Sequence, residues 1–166
     1  MNKWQCALIM TCGVVTAVLN GCTGHGLARG DAIRNDAIIG TWQGQNGHVY
    51  EVERGAGASY TAHVTQTGGT EDTLHVDLID VDRQIFCQIP IGDGADGAPL
   101  YHFGLIAIAN DTIQHRPLDE RWLNEHTGSD NGLVVCEDPA TMRDLLRAAI
   151  RDRAFGPTDT LQRVQD

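Results

Sequence analysis

Between Ile38 and Arg116 the chain alternates short runs rich in β-branched and aromatic residues with clusters of Gly, Asn and Asp, and no other feature constrains the fold as strongly. Successive side chains of a strand point to opposite faces, so a run with period 2 reads as a half-buried strand. The runs fall at 38–43, 48–54, 59–66, 73–81, 84–89, 101–110 and 112–116, with a last short one at 132–136. Turn residues separate them: Gly44-Gln45-Asn46-Gly47 contains an Asn-Gly hairpin signal, and Gly55-Ala56-Gly57, Gly68-Gly69 and Asn110-Asp111 do the same work further on. About eight strands are predicted, too many short alternating segments for an open sheet with bare edges.

Alternation also sorts the side chains. Trp42, Tyr50, Val52, Tyr60, Ala62, Val64, Leu74, Val76, Leu78, Phe103 and Leu105 are predicted to face inward. The parity of the hairpin across Gly68-Gly69 then puts His63 and His75 together on the outer face, and His115, alternating with Ile113, inside. Two helices are expected. Asp119 caps a short one over 120–126, with Leu118 and Leu123 placed as a hydrophobic staple. Asp138 caps a second, Pro139 opens it, and Met142, Leu145, Leu146, Ala149 and Ile150 form one stripe before Gly156-Pro157 ends it. A closed, mainly β, antiparallel up-and-down barrel with a short helix before its last strand and a C-terminal helix accommodates this order.

The first 21 residues have a different texture. Lys3 is followed by an apolar stretch from Ala7 to Leu19, interrupted by Thr11, Gly13 and Thr16. A spanning helix needs roughly 20 uninterrupted apolar residues, so a cleaved secretory signal fits better than a permanent anchor. Its end, Leu19-Asn20-Gly21-Cys22, resembles the lipobox of bacterial lipoprotein signals: an aliphatic residue, a variable one, a small one and the cysteine that receives lipid. The resemblance implies cleavage before Cys22 and a diacylglycerol on its sulfur, usually with an acyl chain such as palmitate on the new terminus. Two or more chains make firm attachment. Thr23 after the cysteine, and not an aspartate, implies the outer membrane by likeness to enterobacterial sorting. The expected layout is a signal peptide at 1–21, a flexible tether at 22–35, a barrel domain with its C-terminal helix at 36–156 and a polar tail at 157–166.

Gly40-Thr41-Trp42 at the start of the first strand is similar to the Gly-x-Trp motif of lipocalins and related calycins, whose tryptophan plugs one end of an eight-stranded barrel. That resemblance, with the strand count and late helix, implies a lipocalin-like barrel. It also implies a noncatalytic envelope protein binding a small apolar or lipidic ligand, with Trp42, Tyr50, Tyr60, Val64, Leu74, Val76, Phe103 and Leu105 lining the pocket or simply packing it. A structural or assembly lipoprotein acting through an envelope protein partner is the alternative.

Charge limits the partners. Lys3 is the one lysine, so the part after the leader sets eleven arginines against 22 acidic residues. Such a surface does not suit nucleic acid and repels anionic head groups, leaving lipid on Cys22 as the expected link to the membrane. With Cys6 and Cys12 in the leader, Cys87 and Cys136 remain, either as one disulfide closing a loop of about 50 residues or as two separate buried side chains. No Gly-x-Ser-x-Gly elbow, phosphate loop, paired-histidine metal helix or Ser-x-x-Lys is present, and no cofactor is expected. Zinc on His63 and His75, with Asp77, is a third reading of the same domain.

Overall fold

The computed structural model describes residues 21–24, 27, 31–93, 99–127, 134–136 and 138–165. The leader prediction, up to Asn20, lies outside the described residues. Among those described there are ten strands: β1 Gly21–Gly24, β2 Gly40–Gly44, β3 Val49–Arg54, β4 Tyr60–Thr65, β5 Glu71–Val81, β6 Gln84–Asp93, β7 Pro99–Ala109, β8 Thr112–Pro117, β9 Val134–Cys136 and β10 Asp159–Arg163. Helix α1 spans Glu120–Thr127 and α2 spans Pro139–Asp152.

Strands β2 to β8 pair in sequence order, β6 also pairs with β7, and β10 lies between β8 and β2. These eight strands close on themselves, as the alternating runs predicted, in an antiparallel up-and-down barrel consistent with the lipocalin-like kind. The closing strand is not the predicted one. Residues 134–136 pair in parallel with β1 outside the ring, while β10, in the stretch expected to be a polar tail, pairs Leu161 with both Ile113 and Gly44. β10 has a single apolar side chain inside the wall, so hydrophobic period could not mark it.

One end of the barrel is sealed. A 3-10 turn, Asp36–Ile38, crosses beneath it, and the Trp42 indole N–H donates to Ile38 O at 2.8 Å. The Arg163 guanidinium lies 4.1 Å from the centroid of the Trp42 ring and donates to Ile39 O at 3.0 Å and Ala37 O at 2.9 Å. This explains the glycine of Gly40-Thr41-Trp42. Gly40 has φ +134°, and a side chain there would overlap the Arg163 guanidinium.

Two apolar clusters divide the molecule. Inside the barrel lie Ile38, Trp42, Val52, Tyr60, Ala62, Val76, Leu78, Cys87, Ile106 and Ile113. Outside it, Ile79, Val81, Phe86 and Phe103 pack beneath Leu118, Leu123, Met142, Leu146 and Ala149 from the two helices and their approach. The predicted caps hold: Asp119 Oδ1 accepts from Trp122 N at 2.8 Å, and Asp138 Oδ1 accepts from Ala140 N and Thr141 N at 2.8 and 2.9 Å. Leu118 and Leu123, the staple, are both buried.

The tether prediction is corrected at several points. Gly21–Gly24 is a strand between β7 and β9. Leu27 is buried, with its N–H donating to Gln88 Oε1 at 2.7 Å. Ala32 bridges Ile79, and Ile33 N donates to Leu78 O at 2.7 Å. The cause lies in unequal strand lengths. β4 stops opposite Val76, so β5 runs on to Val81 with unpaired backbone groups on that edge, and residues 32–33 satisfy them.

Candidate functional site

The inner wall has an uneven chemistry. Near the sealed end it is apolar, with Trp42 and Leu78 fully buried and Tyr60 receiving the Asn35 N–H on its hydroxyl at 2.7 Å. Towards the opposite end, on the strands β6, β7, β8 and β10, it carries titratable groups: Cys87, His102, His115 and Asp159.

Backbone register assembles them. Cys87 faces Gly104 across β6 and β7, His115 faces Ile106 across β7 and β8, and Asp159 faces His115 across β8 and β10. Gly104 is what permits their contact, since a methyl group there would overlap the His115 ring. His102 Nε2 and His115 Nε2 are 3.2 Å apart, and the Cys87 thiol donates to Gly104 O at 3.4 Å. His115 Nδ1 lies 3.9 Å from Asp159 Oδ2, an electrostatic contact longer than a hydrogen bond. Depth is graded along this line: Cys87 is 3% exposed, the His115 side chain 22% and the Asp159 side chain 71%.

The charges follow from that arrangement. Burial works against a charged His115 ring, but attraction to Cys87 and to Asp159 outweighs it, raising the imidazole to about 10. Contact with His115 holds the Asp159 carboxyl below its ordinary value in turn. Burial pushes the Tyr50 phenol, at the same end, upward. The imidazolium that His115 becomes on taking a proton from Cys87 has Nδ1–H facing Asp159 and Nε2–H facing His102 Nε2. A thiol, an imidazole and a carboxylate thus stand in line on the inner wall.

The predicted site residues fare unequally. Trp42, Tyr50, Tyr60, Val64, Leu74 and Val76 do face inward. Phe103 and Leu105 do not: they lie on the outer face beneath the helices, and His102, Gly104 and Ile106 take the inward positions. The helices make β7 apolar on both faces, so alternation could not tell inside from outside. His115 faces inward as expected. His63 and His75 share the outer face on neighbouring strands, with His63 opposite Thr73 and His75 opposite Thr61, so they are diagonal neighbours. His63 Nε2 is 3.4 Å from Glu53 Oε1, and Ser59 Oγ donates to Asp77 at 2.5 Å. Among the described residues no group of three or more His, Cys, Asp and Glu side chains is arranged to hold a metal ion.

Cys87 is a free, buried thiol, so the disulfide reading yields to the separate one for this residue. Cys136 sits beside Gly24, one step past the Thr23–Leu100 pair. Leu100 is four residues along β7 from Gly104, roughly 13 Å at strand rise, beyond the reach of a disulfide. The cysteine cluster was missed in the sequence because its members come from four strands. With the parity of β7 set correctly, His102 and His115 would have been found on one inner wall.

The chain matches no known family model, no curated protein and no solved structure. Among the described residues no helix is long and apolar enough to cross a membrane.

Proposed function

We infer that this chain is a lipid-anchored protein of the bacterial cell envelope, held through Cys22 at the outer membrane, whose barrel is a filled scaffold that acts by binding a protein partner. The observation that supports the scaffold reading is the burial of Trp42, Tyr60 and Leu78, large side chains that fill the sealed end of the barrel. The anchor rests on Leu19-Asn20-Gly21-Cys22. The surface offered to a partner is the outer face of β3, β4 and the first half of β5, away from the helices packed on Ile79 and Val81, and it carries Glu51, Glu53, His63, Glu71 and Thr73.

The carrier reading keeps one support, the titratable inner wall at the unsealed end. That wall favours a small polar ligand over an apolar or lipidic one, because an apolar group set against His115 would desolvate an imidazolium.

Two measurements test these readings. Cys22→Ser is expected to abolish incorporation of a labelled palmitate analogue and release the protein from the membrane fraction, and continued incorporation would contradict the anchor. Native mass spectrometry of the protein extracted from its host is expected to show a protein complex with no lipid inside the barrel. Stoichiometric lipid retained by the isolated domain would overturn the scaffold reading in favour of a carrier.

A further inference from the structure

The buried cluster goes beyond a scaffold. We propose that Cys87 is a peroxide-reactive thiol, with His115 as its proton acceptor and donor, Asp159 as the positioning residue behind His115, and small uncharged hydroperoxides as its substrate class.

The geometry supports each part. As a thiol, Cys87 donates to Gly104 O, and Gly104 is also the gap through which the His115 ring reaches the same space. Passing the thiol proton to His115 leaves a thiolate beside an imidazolium. Asp159 faces that imidazolium from β10 and His102 faces it from β7. A thiolate beside a cationic imidazole is the reactive form of cysteine. The raised affinity of His115 for its proton agrees with this pairing.

Access selects the reactant. Cys87 itself is almost sealed, but the group over it, His115, reaches solvent, and Asp159 beyond it is largely exposed. Hydrogen peroxide is little larger than water and uncharged. An alkylating reagent of ordinary size needs the barrel to open, and an anionic one also meets Asp159.

The step balances. The Cys87 sulfur attacks one peroxide oxygen, the S–O bond forms, and the O–O bond breaks. Sulfur is oxidised to a sulfenic acid and the peroxide is reduced. The leaving hydroxide takes the proton held on His115 Nε2 and departs as water, so a thiol and hydrogen peroxide become a sulfenic acid and water.

The test uses the full chain with hydrogen peroxide, a sulfenic-acid trapping reagent and peptide mass spectrometry to place the adduct on Cys87. Cys87 is expected to be trapped in the folded protein while iodoacetamide leaves it unmodified, and His115→Gln is expected to slow oxidation by about tenfold or more. The rate of His115→Gln is expected to rise with pH more steeply than that of wild type, as that of an unassisted thiol does. If His115→Gln does not fold, Asp159→Asn, at the exposed end of the line, carries the test with a several-fold slower rate. Trapping that occurs only after denaturation in urea would overturn the proposal. So would the same rate and pH profile in wild type and in the variant that folds.

Discussion

His102 and His115 face each other across the β7–β8 pair inside the barrel, their Nε2 atoms 3.2 Å apart, although each strand taken alone reads as an ordinary apolar wall. The raised His115 imidazole has Cys87 and then Asp159 as the groups that favour its charged form.

Stability is therefore expected to depend on pH in a definite sense. His115, raised from 6.5 to about 10, contributes stability that is complete below pH 6.5 and fades as pH climbs towards 10. Asp159, lowered from 3.8, contributes stability present above that value and lost as acid protonates it. The unfolding free energy from urea titration should be highest between these limits and fall by on the order of 2 kcal/mol from pH 6.5 to 10, less than the full shift because His115 reaches solvent. In His115→Gln the alkaline slope should vanish. An equal slope in that variant would assign it to another group.

Gly104→Ala should be costly out of proportion to its size. Its methyl overlaps the His115 ring, and the ring has β10 behind it, so a loss of about 1–3 kcal/mol is expected. Gly68→Ala, in a turn with open space around it, should stay within about 0.5 kcal/mol. Comparable losses at both positions, measured by urea unfolding, would contradict the close approach.

Arg163→Ala removes the cation from the Trp42 ring and leaves Ile39 O and Ala37 O without their donor. About 2–4 kcal/mol of stability should go with it. Trp42 fluorescence should shift to the red as the sealed end admits water. An unchanged emission maximum would mean that the guanidinium does not close that end.

Phe103→Ala discriminates the two faces of β7. The ring packs with Phe86, Leu123 and Met142 under the helices, so about 3–5 kcal/mol should be lost and α2 should become the first segment cut by protease. Were Phe103 a pocket residue, the helix would keep its protection.

Much of this was legible beforehand, and the exceptions have physical causes. β2 to β5 each bury one face only, so Trp42, Tyr60, Ala62 and Val76 stood out by alternation alone. Both helix starts were visible because Asp119 and Asp138 do local chemistry with the next three residues. β7 defeated the same method because the helices give it a second buried face. β10 defeated it because Asp159 and Arg163 are strand residues chosen for what they touch, His115 and Trp42, and not for being apolar. The cluster around Cys87 lay beyond any local reading, since His115 meets Asp159 only through closure of the ring.

β10 also sets a clock. The contact that seals the barrel joins Arg163 to Ile39 across 124 positions of chain, so β2 waits for a partner while nearly everything between is synthesised. Until Arg163 has emerged, β2 and β8 present two open edges, and the nascent molecule is a curved sheet that any stray strand can join. A chain cut short by a few residues in this region loses more than a tail: it remains in the aggregation-prone interval that the complete protein passes through once.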